Sequence, residues 1–150
     1  MKKKNIVTEK DANKINKIIF GKKDVQYSYG VAHFSDLGID QLEELLKNEY
    51  IKPRSSHNFS NITVAQFRDF MKKYDGFTLN GFVYRKARRC TKDGDSISEW
   101  DELAIAIEGI EAKEEIASSA SKKCIYDFVM LCRRADDFTI NEKRIYAWWD

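Results

Sequence analysis

Apolar residues recur along this chain in two rhythms, one of three to four residues and one of two. The switches between them outline the elements. Thr8 can cap a short helix in which Ala12, Ile15, Ile18 and Ile19 share a face, with Gly21 as its stop. Val25, Tyr27, Tyr29 and Val31 then alternate with Gln26, Ser28 and Gly30, the period of a half-buried strand. A second helix is predicted from Ile39 to Tyr50, with Ile39, Leu42, Leu45, Leu46 and Glu49 at helical spacing and Pro53 closing it off.

The sharpest local signal lies at residues 62–76. Thr63 and Gln66 have the spacing of a capping box, and Ile62 can staple onto Phe67. Phe67, Phe70, Met71 and Tyr74 form the apolar stripe of this helix, and Gly76 offers a left-handed stop. Phe77 to Tyr84 predicts a strand, Arg85 to Glu99 a polar loop, and Leu103 to Ile110 another strand. Serines at 118, 119 and 121 precede a last helix whose Cys124, Ile125, Phe128, Val129, Cys132 and Ala135 line one face. Phe138 to Ile140 and Arg144 to Trp149, separated by Asn141-Glu142-Lys143, predict a closing hairpin or one long bent strand. Strand pairs with short loops, interrupted by helices, define an α+β fold. The expectation is a mainly antiparallel sheet of about four or five strands with three to four helices packed on it.

Charge divides the chain unevenly. Residues 1–23 hold eight lysines against Glu9 and Asp11, a net +6, whereas the remaining residues carry 18 basic and 22 acidic groups, a net −4. The expected organisation is therefore a basic N-terminal arm with a short helix over 1–23 and a single α+β domain over 24–150. Such an arm suits nucleic acid or an acidic protein, or is simply solvated. Hydrophobic content of 43% and aromatic content of 13% supply a packed core and exclude wholesale disorder. No apolar run approaches the ~18 residues of a membrane span. No apolar stretch follows Met1-Lys2-Lys3-Lys4, so a cytoplasmic protein is expected. Two glycosylation sequons, Asn58-Phe59-Ser60 and Asn61-Ile62-Thr63, carry little weight in that setting. Heavy use of Lys, Ile and Asn fits an AT-rich bacterial, phage or mobile-element genome.

Three cysteines give no disulfide framework. Cys124 and Cys132 lie about 12 Å apart along one predicted helix, too far to bridge, which leaves Cys90 as the reactive candidate. His33 and His57 belong to no zinc spacing, and no glycine-rich phosphate loop is present, so no metal and no cofactor is expected. One enzymatic arrangement stands as an alternative. Asp101 before a strand and Glu111-Ala112-Lys113 at its end loosely match a Mg²⁺-dependent nuclease, although such enzymes carry the Glu-x-Lys within the strand. The densest basic cluster is Arg85, Lys86, Arg88, Arg89 and Lys92 beside Tyr84, a combination able to hold phosphate and stack a base.

The C-terminal third resembles a group of short, uncharacterised prokaryotic proteins. The residues that carry the likeness are Phe128, Cys132-Arg133, Ala135-Asp136-Asp137-Phe138 and the closing Tyr146-Ala147-Trp148-Trp149-Asp150. That group ends in a Phe-Cys-Arg-x-Ala-Asp-[Glu/Asp]-Phe helix followed by Tyr-Ala-Trp-Trp-Asp. The Leu42–Tyr50 helix, Thr63-Val64 with Phe67, and Gly81-Phe82 are similar too, so the likeness spans roughly residues 36–150. The lysine-rich start and the longer basic insertion around Arg85–Trp100 depart from the pattern. The resemblance implies a compact domain whose tail belongs to the fold, and it carries no activity. The tail's own alternation agrees, with Ile145, Ala147 and Trp149 on one side and Tyr146 and Trp148 on the other. Tyr146, Trp148 and Trp149 are therefore expected to anchor the fold, and Asp136 and Asp137 to form a turn.

Together these features favour a non-enzymatic interaction protein. The expectation is a stoichiometric binder or inhibitor of a larger protein partner, as phage anti-defence proteins such as anti-CRISPRs and toxin-immunity proteins are. A nucleic-acid binder using Tyr84, Arg85, Lys86, Arg88, Arg89 and Lys92 with the lysine arm is the second reading, and the nuclease the third.

Overall fold

The computed structural model describes residues 9–56, 61–86 and 102–150. Five strands among these residues form one sheet, all of whose pairings are antiparallel. In chain order the elements are α1 (Glu9–Phe20), β1 (Val31–Leu37), α2 (Ile39–Lys47), α3 (Val64–Lys73), β2 (Phe77–Lys86), β3 (Glu102–Ala112), α4 (Glu114–Ala117), α5 (Lys122–Cys132), β4 (Asp137–Ile140) and β5 (Ile145–Trp148). Across the sheet the strands run β1-β2-β3-β5-β4. The protein thus has the expected α+β architecture, with one helix more than the three or four predicted. The extra one is the single turn α4, which follows directly on the strand end where no helix was expected.

Period-two burial explains how the sheet faces its helices. Ala32, Phe34 and Leu37 of β1, Phe77, Leu79 and Val83 of β2, and Leu103, Ile105, Ile107, Ile110 and Ala112 of β3 are buried, as are Ile145 and Ala147 of β5. All of these but Ala32 join the buried faces of α1, α2, α3 and α5 in one core. Two irregularities keep the alternation in phase. The β2–β3 register slips between Asn80 and Gly81, so that β3 has an extra residue at Glu108, and β1 slips between Phe34 and Leu37. At the first slip the chains approach so closely that only glycine fits at 81, since a Cβ there would collide with the Ala106 carbonyl oxygen.

Helix ends follow the local sequence. The Thr63 hydroxyl accepts from the Gln66 amide at 3.2 Å and the Gln66 carboxamide accepts from the Thr63 amide at 2.8 Å, the two halves of the capping box. Gly76 takes φ +92° between α3 and β2, against the Ile116 side chain of α4. Ser121 caps α5 through the Cys124 amide at 3.0 Å. Cys124 and Cys132 are both buried free thiols, and burial pushes both above the ordinary thiol range.

The first strand lies further along the chain than the alternation predicts. Residues 24–27 are irregular, Tyr29 and Gly30 take left-handed φ values of 54° and 78°, and the strand begins only at Val31. Hairpin-like turning at Ser28, bridged to Val31, breaks the pattern that Val25, Tyr27 and Tyr29 would have extended. The early residues still have work to do: the Tyr27 hydroxyl donates to Asn16 at 2.7 Å, and Asn16 is the single buried polar residue of the described chain. The predicted boundary near residue 23 is not a break in packing either. Ala12, Ile15 and Ile19 of α1 sit in the same core as the sheet, while residues 1–8 fall outside the described residues.

Candidate binding surface

Because the helices cover one face of the sheet, every strand presents its alternate residues on the other. Register places Tyr84 between Val31 and Ala104, and Phe82 between His33 and Ala106. On the far side of β3, Trp148 lies opposite Gly109 and Tyr146 opposite Glu111. The middle strand therefore contributes small side chains, Ala104 and Ala106, while aromatic rings stand on the strands beside it. Tyr84 is 39% exposed, and Phe82, Tyr146 and Trp148 are half-buried. His33 meets Phe82 edge-on at 5.8 Å. The result is a shallow aromatic surface along β3, with alanine beside Tyr84 and Phe82 and with Gly109 and Glu111 beside Trp148 and Tyr146.

The basic groups on this face are matched. His33 lies 3.9 Å from the Glu108 carboxylate, the Arg144 guanidinium donates to Glu111 at 2.8 Å, and Lys113 reaches Asp36 at 3.2 Å. Arg144 also lies over the Tyr146 ring at 3.9 Å, a cation–π contact. Burial is the main cause that raises the Tyr146 hydroxyl above its ordinary value, partly offset by Arg144. Asp137, opposite Trp148 on β4, adds a further carboxylate, so Arg144 and Lys113 are outnumbered by the acidic groups of this face.

Strand alternation separates the residues that the sequence had grouped as a basic site. Tyr84 is on the open face. Arg85, its neighbour, turns to the helix side, where its guanidinium lies over the Tyr27 ring at 5.6 Å and lines a polar cleft of about 270 Å³ with Asn16, Lys23 and Gln26. Lys86 ends β2 opposite Glu102. Arg88, Arg89, Lys92 and Cys90 lie outside the described residues, as do His57, Asp101 and the Asn58 sequon.

Glu111 is a residue of β3 and not, as its spacing suggests, of the strand's frayed end, because the strand continues to Ala112. That is nearer the nuclease layout than expected. Its carboxylate, however, is held by Arg144, and Lys113 is paired with Asp36. Among the described residues no three His, Cys, Asp or Glu side chains are grouped to hold a metal ion.

At the tail, Trp149 is only 4% exposed and meets Phe67 edge-on at 5.9 Å. Trp148 faces the other way, onto the open face. Asp136 caps the end of the tail by accepting the Asp150 amide at 2.7 Å, whereas Asp137 is the first residue of β4 and not part of the turn. His33 and Trp148 were not recognisable from the sequence as residues of the face that carries Tyr84. Period-two alternation alone would have set Tyr84 with Phe82 and apart from Arg85, but the cross-strand register brings in the others.

No family model, curated protein or solved structure matches this chain.

Proposed function

We propose that this is a non-enzymatic protein-binding domain that docks a larger partner on the open face of its sheet, in a stoichiometric and inhibitory manner. The observation that carries the reading is the row of Tyr84, Phe82, Trp148 and Tyr146 around the small residues of β3. Tyrosine and tryptophan bring large contact area at low conformational cost and dominate the energetic centres of protein interfaces. The alanines of β3 leave room for a partner's side chains beside the rings.

The charges favour protein over nucleic acid at this surface. A polyanion gains affinity from unpaired cations that displace its counterions. Here Arg144 and Lys113 already face carboxylates, and Glu108, Glu111 and Asp137 would repel phosphate.

The test is recovery of a partner by the tagged full chain from its native cells, beside the Phe82→Ser/Tyr84→Ser double variant. Both substitutions are on the face that no described helix covers, so the variant is expected to keep its far-UV spectrum and cooperative melt. The same partner should be recovered at unit stoichiometry by the wild type and reduced by about 100-fold or more in the variant, as loss of two aromatic anchors implies. Equal recovery by both proteins would end this reading.

A further inference from the structure

A second surface lies on the helical side of the molecule and is chemically unlike the first. α5 shows solvent a stripe made of Lys123, Tyr126, Met130 and, at its C-terminal end, Arg133 and Arg134. Tyr126 is 64% exposed and Met130 45%, two of the largest apolar exposures in the described chain. At 1.5 Å per residue the stripe from Lys123 to Arg133 is about 15 Å long, nearly three helical turns. Its lower end opens into a cleft of about 660 Å³ between the start of α3 and the chain's tail, with Ile62, Leu131 and Trp149 as apolar lining and Arg133 and Arg134 at its side.

The electrostatics of this stripe are one-sided. Lys123, Arg133 and Arg134 form no ion pair among the described residues, in contrast to the matched cations of the sheet face. The acidic residue on the same helix, Asp127, is neutralised from α3: Lys73 donates to its carboxylate at 3.1 Å and the Tyr74 hydroxyl donates to the same oxygen. Those two hydrogen bonds, Tyr74 first, hold the Asp127 carboxyl below the usual carboxylate range. At the cleft the Asp136 carboxylate accepts the Asp150 amide and keeps its charge, and Asp150 lies at the same rim, so the two aspartates balance Arg133 and Arg134 there. With Lys73 set against Asp127, Lys123 leaves the stripe and cleft net positive.

We infer that this stripe and cleft form a docking site for an acidic amphipathic peptide segment of a protein partner, its apolar side chains on Met130, Tyr126 and the cleft and its carboxylates on Lys123, Arg133 and Arg134. Charge complementarity selects the sign of the partner, because Lys123, Arg133 and Arg134 are exposed, form no ion pair among the described residues and leave the stripe net positive. The exposed apolar residues select a peptide over a bare polyanion, because phosphates would leave Met130 and Tyr126 without contact. Length selects a segment over a small molecule, since the cleft accounts for only one end of the stripe. This site is separate from the sheet face and stands whether or not that face binds protein.

The probe is a fluorescein-labelled peptide with Glu at most polar positions and Leu and Phe at helical spacing, titrated by anisotropy into the full chain at low and physiological salt. A peptide with every Glu replaced by Lys and a single-stranded oligothymidine are run in parallel. Arg133→Glu/Arg134→Glu and Tyr126→Ser/Met130→Ser variants are checked for an unchanged melt, and Ser35→Ala, exposed on β1, serves as a distant control. Expected is saturable binding of the acidic peptide, weakened by salt, lost by about tenfold or more in each stripe variant and unaltered by Ser35→Ala. Amide NMR shifts should map to α5 and the Trp149 region. No binding, equal binding of the lysine peptide, shifts confined elsewhere, or tighter binding of oligothymidine through the same arginines would each overturn the inference.

Discussion

Replacing Trp149 with alanine is expected to destabilise the fold by about 3–5 kcal/mol, the usual cost of deleting a buried large aromatic ring. The ring is almost wholly removed from water and packs edge-on against Phe67, which is itself fully buried on α3. Its loss leaves a cavity between the last strand and that helix, and neither wall is free to collapse into it. The backbone of the tail is held by the sheet: Trp149 donates its amide to the Glu108 carbonyl at 2.8 Å, next to the β3 bulge. For a chain of this length the melting temperature should fall by on the order of 10 °C. Urea unfolding of the full chain measures it. A loss below about 1 kcal/mol would mean that Trp149 is an exposed contact and not an anchor. Trp148→Ala is the internal comparison, because that ring stands on the open face and should cost distinctly less.

Gly81→Ala should be the most damaging single-methyl change. An added Cβ would run into the Ala106 carbonyl oxygen and lie 3.0 Å from the Phe34 ring. A rigid backbone carbonyl cannot swing aside as a flexible side chain would, so relief requires parting β2 from β3 at the middle of the sheet. Overpacking of this kind costs about 1–3 kcal/mol and sometimes more. Gly38→Ala is a suitable control, since the nearest atom to its new Cβ is a Gln41 carboxamide oxygen at 3.8 Å. If both variants melt together with the wild type, the close strand crossing at Gly81 is wrong.

Local chemistry was legible in the sequence wherever a residue's role depends on near neighbours. The Thr63–Gln66 box, the Gly76 stop and the core-facing set Ile145, Ala147 and Trp149 needed only spacing to be found. The first strand was displaced because the apolar alternation of Val25–Val31 competes with a left-handed turn at Tyr29 and Gly30, and the turn wins. α4 was missed because two glutamates after a strand suit a solvated end as well as a first helical turn. The candidate surface was half visible. Tyr84 was singled out for its basic neighbours, yet the residues directly beside it come from β1 and β3. Only register sets Val31 and Ala104 against it and brings Trp148 to the same face further along β3, opposite Gly109. The bulge at Glu108 marks the sequence only as the switch of apolar positions from Ile107 to Ile110.

The division of labour at the C-terminus follows from the same geometry. Adjacent tryptophans point to opposite faces of one strand, so Trp149 secures the core while Trp148 belongs to the proposed interface. A tail read only as an anchor thus contributes Trp149 to the core and both Tyr146 and Trp148 to the proposed interface.

The central claim is that the open sheet face is the surface a protein partner covers. Site-specific photocrosslinking tests it most directly, with benzoylphenylalanine placed in turn at Tyr84 and Ala106 on that face and at Lys47 on the exposed side of α2, in the native cells. The account predicts one discrete adduct of the same mass from Tyr84 and Ala106 and none from Lys47. No adduct from the face, or the same adduct from Lys47, would contradict it.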